Sequence, residues 1–130
     1  MEKVNLLLLD VEEKKLKEIV CDNDDLQTFY DGLKCDCFDI ANHKIGDKRF
    51  DCFVDDVGLF VENPVVSAID MNNQPMLVGN IIFANHDEEG NTTSLTKEDK
   101  QVICDNTHWM ISENRKTHEL RDLLIVKMDY

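Results

Sequence analysis

The chain has 130 residues, a formal net charge of −13 and a sequence pI near 4.5. Its hydrophobic content of 42% excludes an intrinsically disordered chain, and its length is that of one domain. The acidic excess argues against direct binding to nucleic acid or to an anionic membrane, and it favours basic protein surfaces as partners.

The N-terminal third predicts a β-hairpin followed by a short helix. An apolar run over residues 3–9 is typical of a strand, and alternation over residues 16–21 predicts its partner across a polar turn. An acidic stretch at residues 22–25 suits a helix cap and first turn, and apolar residues at helical spacing then predict a helix over residues 24–33. The first apolar run is too short for a secretion signal or a membrane span.

The middle of the chain predicts further strands. Residues 35–42 alternate with a period of two, a loop containing Gly46 follows at residues 43–48, and residues 50–54 and 58–61 are further strand segments. Residues 76–84 predict one apolar strand with Gly79 inside it, and residues 87–91 predict a tight polar turn.

The C-terminal part begins with a helix start. Thr96 is a good N-cap, and Asp99 stands where the acidic member of a capping box is expected. Apolar residues between positions 102 and 110, including Trp109 and Met110, are expected to bury one face of this helix. The last twenty residues suit either a helix extension or a final strand. The predicted fold is therefore α+β: a single domain, residues 1–130, with an antiparallel sheet and two or three helices packed on one side.

Five cysteines without a recognisable signal sequence predict free, mostly buried thiols in a reducing cytosol. Cys35 and Cys37 are expected on one face of a strand, with Cys52 and His43 on the neighbouring hairpin, and such residues are zinc ligands. However, a C-x-C spacing within a strand does not match structural zinc sites. We therefore expect small core side chains, with no metal and no cofactor.

Residues 63–85 stand out because Asp70 is the only formally charged residue in a stretch rich in asparagine and glutamine. Amide groups recognise the polar edges of neutral ligands, and long connections in compact domains are often functional. The alternative is a structured loop in which Asn and Pro set turns and satisfy the backbone. The segment is expected to be either a binding edge or a rigid plug over the sheet.

Several short motifs occur together and in a fixed order. They are an acidic D-D-V-G-L segment at residues 55–59, an N-P turn at 63–64, a G-N pair at 79–80, a D-E-E-G turn at 87–90 and an S-L-T-K-E-D helix start at 94–99. In this combination the chain resembles a small family known only as a domain of unknown function, common in phages and mobile elements of gut Firmicutes. The resemblance covers about residues 3–104 and leaves about 105–130 as a C-terminal extension. It implies a fold and a genomic setting, and it supplies no catalytic residues.

The leading functional hypothesis is a non-enzymatic acidic binding protein of phage or mobile-element origin. It would act in the bacterial host cytoplasm and inhibit a host defence or nucleic-acid enzyme by binding a basic surface on it. The phage setting comes from the resemblance, and the electrostatics come from the composition. The acids expected to make this contact cluster on turns: Asp22, Asp24, Asp25, Asp55, Asp56, Asp87, Glu88 and Glu89.

The alternative hypothesis is a small-molecule binder, such as a sponge that sequesters a nucleotide immune signal. Amides would hold the bases and cations the phosphates. The candidate residues are Lys48, Arg49, Asn63, Ser67, Asn72, Asn73, Gln74, Asn80, Arg115 and Arg121. Composition leaves homo-oligomer formation open.

Overall fold

The computed structural model describes residues 3–22, 26–35, 37–55, 65–113 and 116–130. Of these residues 57% lie in strands and 14% in two short helices, and the strands form two sheets. The predicted α+β fold with helices packed on one side of a single sheet was therefore wrong. The prediction failed because strands that appeared to extend one sheet pair separately, in a second sheet.

The large sheet is antiparallel throughout, in the order β2-β1-β7-β4-β3, with the short β8 paired to the end of β7. The predicted N-terminal hairpin is confirmed as two eight-residue strands in continuous register. The strands are β1 (Lys3–Asp10), β2 (Lys15–Asp22), β3 (Phe38–Ile45), β4 (Lys48–Asp55), β7 (Ile81–His86) and β8 (Thr92–Thr93).

The small sheet has the order β6-β5-β10-β9, and β5 and β10 run parallel. Its strands are β5 (Val66–Ile69), β6 (Pro75–Val78), β9 (Thr107–Glu113) and β10 (Leu120–Lys127). A backbone bridge between Lys44 and Asp129 joins the end of β3 to the residues that follow β10. The C-terminal extension is thus built into the β structure, and the described part of its last twenty residues contains β10 and the end of β9 instead of a helix.

The main core lies between the inner face of the large sheet and the small sheet. Leu9, Phe50 and Phe83 of the large sheet pack in one cluster with Ala68 of β5 and Val126 of β10. Burying alternate residues of several neighbouring strands removes a large apolar area from water, and this stabilises the pairing of the two sheets.

Helix α2 (Lys97–Asp105) closes the same core through Ile103. The predicted capping box is confirmed: the Asp99 backbone N–H donates to Thr96 Oγ1, and the Thr96 N–H donates to Asp99 Oδ2. The predicted burial of Trp109 and Met110 on this helix was wrong, because the helix ends before them and they lie on β9.

Helix α1 (Gln27–Leu33) covers part of the outer face of the large sheet, where Phe29 stacks against Phe53 with ring centroids 4.6 Å apart. The predicted acidic cap was wrong: the N-cap position is Leu26, it makes no side-chain cap bond, and no acid stands in the first turn. Packing of Phe29 and Leu33 on the sheet stabilises this helix instead.

The predicted strand over residues 76–84 is two strands in different sheets. Gly79 has a φ of 77°, and together with Asn80 it separates β6 from β7. The left-handed conformation favours glycine, and it turns the chain from one sheet to the other. The amide-rich stretch accordingly contributes β5, β6 and most of β7, so its described part is not a single connecting loop.

The structure also removes the basis of the zinc hypothesis. Cys35 and Cys37 precede β3 instead of alternating on it, and Cys52 points into the core. The described cysteines form no disulfide with one another, and only Cys21 and Cys52 of them are buried, so the prediction of mostly buried thiols was wrong. Burial raises the pKa of Cys52 to about 12, which keeps its thiol protonated. Among the described residues, no helix is long and apolar enough to cross a membrane.

Candidate functional site

A polar cluster occupies the part of the outer face that α1 leaves uncovered. Directly paired residues on neighbouring strands point to the same face of a sheet. Asn42 pairs with Asp51, and Lys44 pairs with Arg49. His86 lies two residues beyond Ala84, the partner of Asp51 on β7. Because Phe53 faces α1, the alternation along β4 places Asp51 and Arg49 on that same side.

Asp51 organises this cluster. Its Oδ2 lies 2.8 Å from His86 Nδ1, and its Oδ1 accepts a hydrogen bond of 3.1 Å from Asn42 Nδ2. An ionised carboxylate only accepts hydrogen bonds, so a neutral His86 must carry its proton on Nδ1 and present an unprotonated Nε2. The Asp51 side chain is 12% exposed and that of His86 is 51% exposed, so the carboxylate is held inside while the imidazole meets solvent.

Cations stand beside the imidazole. One terminal N–H group of the Arg49 guanidinium donates to Asn42 Oδ1 at 3.2 Å, and the other donates to the backbone oxygen of Tyr130 at 2.9 Å. These contacts fix the guanidinium next to Asp51 and leave further N–H donors for a ligand. Exposed Lys44 lies opposite Arg49 in the strand register and has no ion pair with another described side chain.

Asn42, Arg49, Asp51, Asn85 and His86 line a cavity of about 470 Å³. This volume falls in the range of small-molecule sites, although the cavity is polar where such sites are usually mainly apolar. Asn85 is tied to α2, since its amide donates to Asp99 Oδ2 at 2.7 Å and to the backbone oxygen of Ser94 at 3.3 Å. The cavity wall is therefore held by the β strands and by the helix N-terminus.

His43 lies close by, with its ring centroid 6.0 Å from that of Tyr130. Burial lowers the pKa of His43, the backbone of Asp129 opposes this shift, and the charge of Arg49 adds to it. The His43 imidazole is thus kept neutral, and its buried Nδ1 has no hydrogen-bond partner among the described residues. Because His43 pairs with Phe50 of the main core, its ring lies on the opposite face of the sheet and adds no cation to the cluster.

The family model described as a domain of unknown function (DUF3846) matches residues 4–108. The chain belongs to the DUF3846 family. The predicted resemblance to a family known only as a domain of unknown function is confirmed, and the match extends slightly beyond the expected residue 104. Comparison with curated proteins and with solved structures returned no match.

The DUF3846 match contains Asn42, Lys44, Arg49, Asp51 and His86, and it ends before β10. Three of the motifs that carried the resemblance form definite structures. Gly79-Asn80 separates the two sheets, residues 87–90 make the β7–β8 turn, and residues 94–99 contain the α2 capping box. The motifs at 55–59 and 63–64 lie mostly or wholly outside the described residues.

The acids predicted to bind a basic partner do not form one surface. Asp22 ends β2 and Asp87 follows β7, whereas Asp55 ends β4. Because β4 runs antiparallel to β7, Asp55 lies at the opposite end of the large sheet from Asp87, Glu88 and Glu89. Hydrogen bonds from the Asn91 backbone and side chain lower the pKa of Asp87, which orders this turn. Asp24, Asp25 and Asp56 lie outside the described residues.

Most of the predicted ligand-binding residues have structural partners or lie apart. Asn80 is buried, accepts from the Val11 backbone N–H and donates to the Gly32 carbonyl oxygen. Ser67 is buried in β5 with an unpartnered hydroxyl, and Lys48 pairs with Glu98 and Asp99.

The remaining predictions are scattered. Asn72, Asn73 and Gln74 form the β5–β6 turn, where Asp70 accepts two backbone hydrogen bonds, and Arg121 lines a different cavity. Asn63 and Arg115 lie outside the described residues. Of the described members of this predicted set, only Arg49 lines the cavity beside His86.

Sequence reasoning missed Asn42, Asp51, Asn85 and His86. The β3–β4 hairpin around Gly46 would have placed Asn42 opposite Asp51, because the register of a short hairpin follows from its turn. The contact between Asp51 and His86 spans 35 positions and depends on the pairing of β4 with β7. No local pattern encodes that pairing.

Proposed function

We propose that this DUF3846 protein is a non-enzymatic binding protein that takes a small anionic molecule in the cavity beside His86. One observation carries the proposal. Asp51 holds the half-exposed imidazole of His86 through Nδ1, and the guanidinium of Arg49, which Asn42 and the Tyr130 backbone fix, lines the same cavity.

The ligand chemistry follows from these groups. Arg49 and Lys44 suit a phosphate or carboxylate, because charge-assisted hydrogen bonds are the stronger kind. The unprotonated Nε2 accepts a hydrogen bond from a hydroxyl or amino group, and Asn42 lies within the same lining. A nucleotide carries all of these features, so sequestration of a nucleotide signal is the form of the proposal that the site favours.

Binding is favoured over catalysis by what lines the cavity. A histidine paired with a carboxylate acts as a general base when a nucleophile lies within hydrogen-bond reach of it. The described lining residues include no serine, threonine or cysteine. The Asp51–His86 pair then serves to orient an acceptor atom for a ligand.

A second candidate function is docking onto the basic surface of a host enzyme, and the distribution of charge favours it. Within the described part of the chain, several lysines are engaged in ion pairs and so neutralise acids locally; they are Lys15, Lys17, Lys34, Lys48 and Lys100. The net charge of −13 leaves many acids beyond these pairs. This candidate retains the phage or mobile-element origin, the inhibition of a defence or nucleic-acid enzyme and the bacterial cytoplasm as proposals.

One pair of variants separates the two candidates. We expect AMP or cyclic di-AMP to bind the wild type in calorimetry, and Arg49→Gln to weaken binding about 10- to 100-fold, because a hydrogen bond to a charged group contributes roughly 1.5–3 kcal/mol. Lys15→Gln is the matched control, since it removes an exposed positive charge from β2, which is the far edge of the large sheet from the cavity. Binding that is absent for both probes, or equally affected by both variants, contradicts the small-molecule proposal.

The same variants report on docking. Arg49→Gln makes the chain more negative, so capture of a basic partner from a bacterial lysate should stay unchanged or increase. Capture that weakens at high salt and after Glu88→Lys with Glu89→Lys, without any nucleotide binding, supports the second candidate instead.

A further inference from the structure

Strand β9 (Thr107–Glu113) is an edge of the small sheet and lacks the usual protection of an edge. Edge strands in monomers commonly carry charges, prolines or bulges that prevent pairing with another chain. Residues 108–112 of β9 read H-W-M-I-S, without an acid, lysine, arginine, proline or glycine. The structure leaves this side of β9 unpaired among the described strands.

The other described edges are blocked. Strand β2 carries Lys15, Lys17 and Glu18, and β6 is four residues long and begins with Pro75. Strand β3 has its end covered by the bridge between Lys44 and Asp129. Strand β9 therefore differs from β6 in length, from β2 in charge and from β3 in cover.

An apolar stripe lies along this open edge. Trp109 is 61% exposed and Ile111 is 71% exposed, and their spacing of two residues places both on one face of β9. Leu120 extends the same face, because it is 72% exposed and pairs with Glu113. Tryptophan is enriched at the energetic centres of protein interfaces.

We propose that β9 pairs antiparallel with β9 of a second copy, centred on Met110, to form a continuous sheet across two subunits. In that register Trp109 lies opposite Ile111 of the partner subunit, on the same face, and Ile111 lies opposite the partner's Trp109. Such pairs of an aromatic and a β-branched side chain stabilise neighbouring strands. One two-fold symmetric contact therefore covers the exposed apolar stripes of both copies.

The low charge of β9 favours this strand as the place of self-association. Two copies of a chain with net charge −13 repel each other, and β9 is a place where that repulsion is small. In the proposed register Glu113, the one acid of β9, faces Thr107 of the partner subunit instead of a second acid. Added salt screens the remaining repulsion, so salt should strengthen the dimer.

The test uses sedimentation velocity together with the fluorescence of Trp109, the single tryptophan of the chain. We expect the wild type to dimerise as concentration and salt rise, with the Trp109 emission shifting to shorter wavelength as the indole leaves water. Ile111→Lys should raise the dimer dissociation constant roughly 30-fold or more, because it places a charge at the centre of the interface.

Ile40→Lys is the matched control, since Ile40 is a 58% exposed isoleucine on β3, an edge of the other sheet, and its replacement should leave the dimer intact. If Ile111→Lys does not fold, Ile111→Thr keeps a β-branched side chain and should weaken the dimer in the same direction. A wild type that stays monomeric with water-exposed Trp109 at every salt concentration overturns the proposal. A dimer that survives both Ile111 variants overturns it as well.

Discussion

Asp51 and Asp99 are both buried carboxylates near the same end of the large sheet, but their partners differ. Asp99 receives hydrogen bonds from the Thr96 backbone, from Asn85 and from Lys48, so its donors link α2 to β7 and β4. Asp51 holds Asn42 and His86, and the His86 side chain is half exposed to solvent. A carboxylate surrounded by its own chain stabilises the fold, whereas one that orients a half-exposed imidazole prepares a surface for a ligand.

The largest effect should come from Asp99→Ala. The substitution removes the capping box and takes one acceptor each from the half-buried Asn85 amide and from the Lys48 ammonium, so we expect a loss of about 3 kcal/mol in the free energy of unfolding. Urea denaturation measures it. Glu98→Ala is the control, because that side chain is 87% exposed and should change stability by less than about 0.5 kcal/mol. Equal losses for the two variants would show that the hydrogen bonds of Asp99 stabilise the fold no more than an exposed carboxylate does.

The second largest effect on stability should come from low pH, which protonates Asp99. Burial alone would raise the pKa of Asp99, but hydrogen bonds from the Thr96 backbone, Asn85 and Lys48 outweigh it and lower that pKa to about 2. A depressed pKa in the folded state means that the stabilisation is complete above the ordinary carboxyl pKa, near 3.8, and is lost as pH falls towards 2. We expect the free energy of unfolding of the wild type to decrease as the pH is lowered across this window. The decrease should be less steep in Asp99→Asn. Parallel pH profiles for the wild type and Asp99→Asn would show that Asp99 does not cause the loss of stability in acid.

The smallest effect on stability, and the most specific, should come from Asp51→Asn. The contact with half-exposed His86 is solvated, so we expect a loss of only about 1 kcal/mol. Nitrogen-15 NMR should find neutral His86 protonated on Nδ1 in the wild type and mainly on Nε2 in the variant. An Nε2-protonated His86 in the wild type would mean that Asp51 does not orient it, and the candidate site would lose its basis.

Local signals in the sequence identified several elements correctly. The apolar alternation on either side of residues 11–14 predicted the β1–β2 hairpin, and the Thr96 and Asp99 spacing predicted the α2 capping box. Both depend on residues close together in the chain, where dihedral preferences and nearby hydrogen bonds decide the structure. The helix near residue 27 was also found, but its start was misplaced because packing rather than a cap stabilises it.

The sequence alone determined that this is a folded, acidic chain with a β-hairpin at its start and a capped helix near residue 97. Only the tertiary structure decided that residues 76–84 divide between two sheets, and that Asp51 meets His86 across 35 positions. The physical reason is that an apolar run tells which residues avoid water but not which strand covers them. Strand partners are chosen by burying both faces of the large sheet at once, and this choice involves the whole chain.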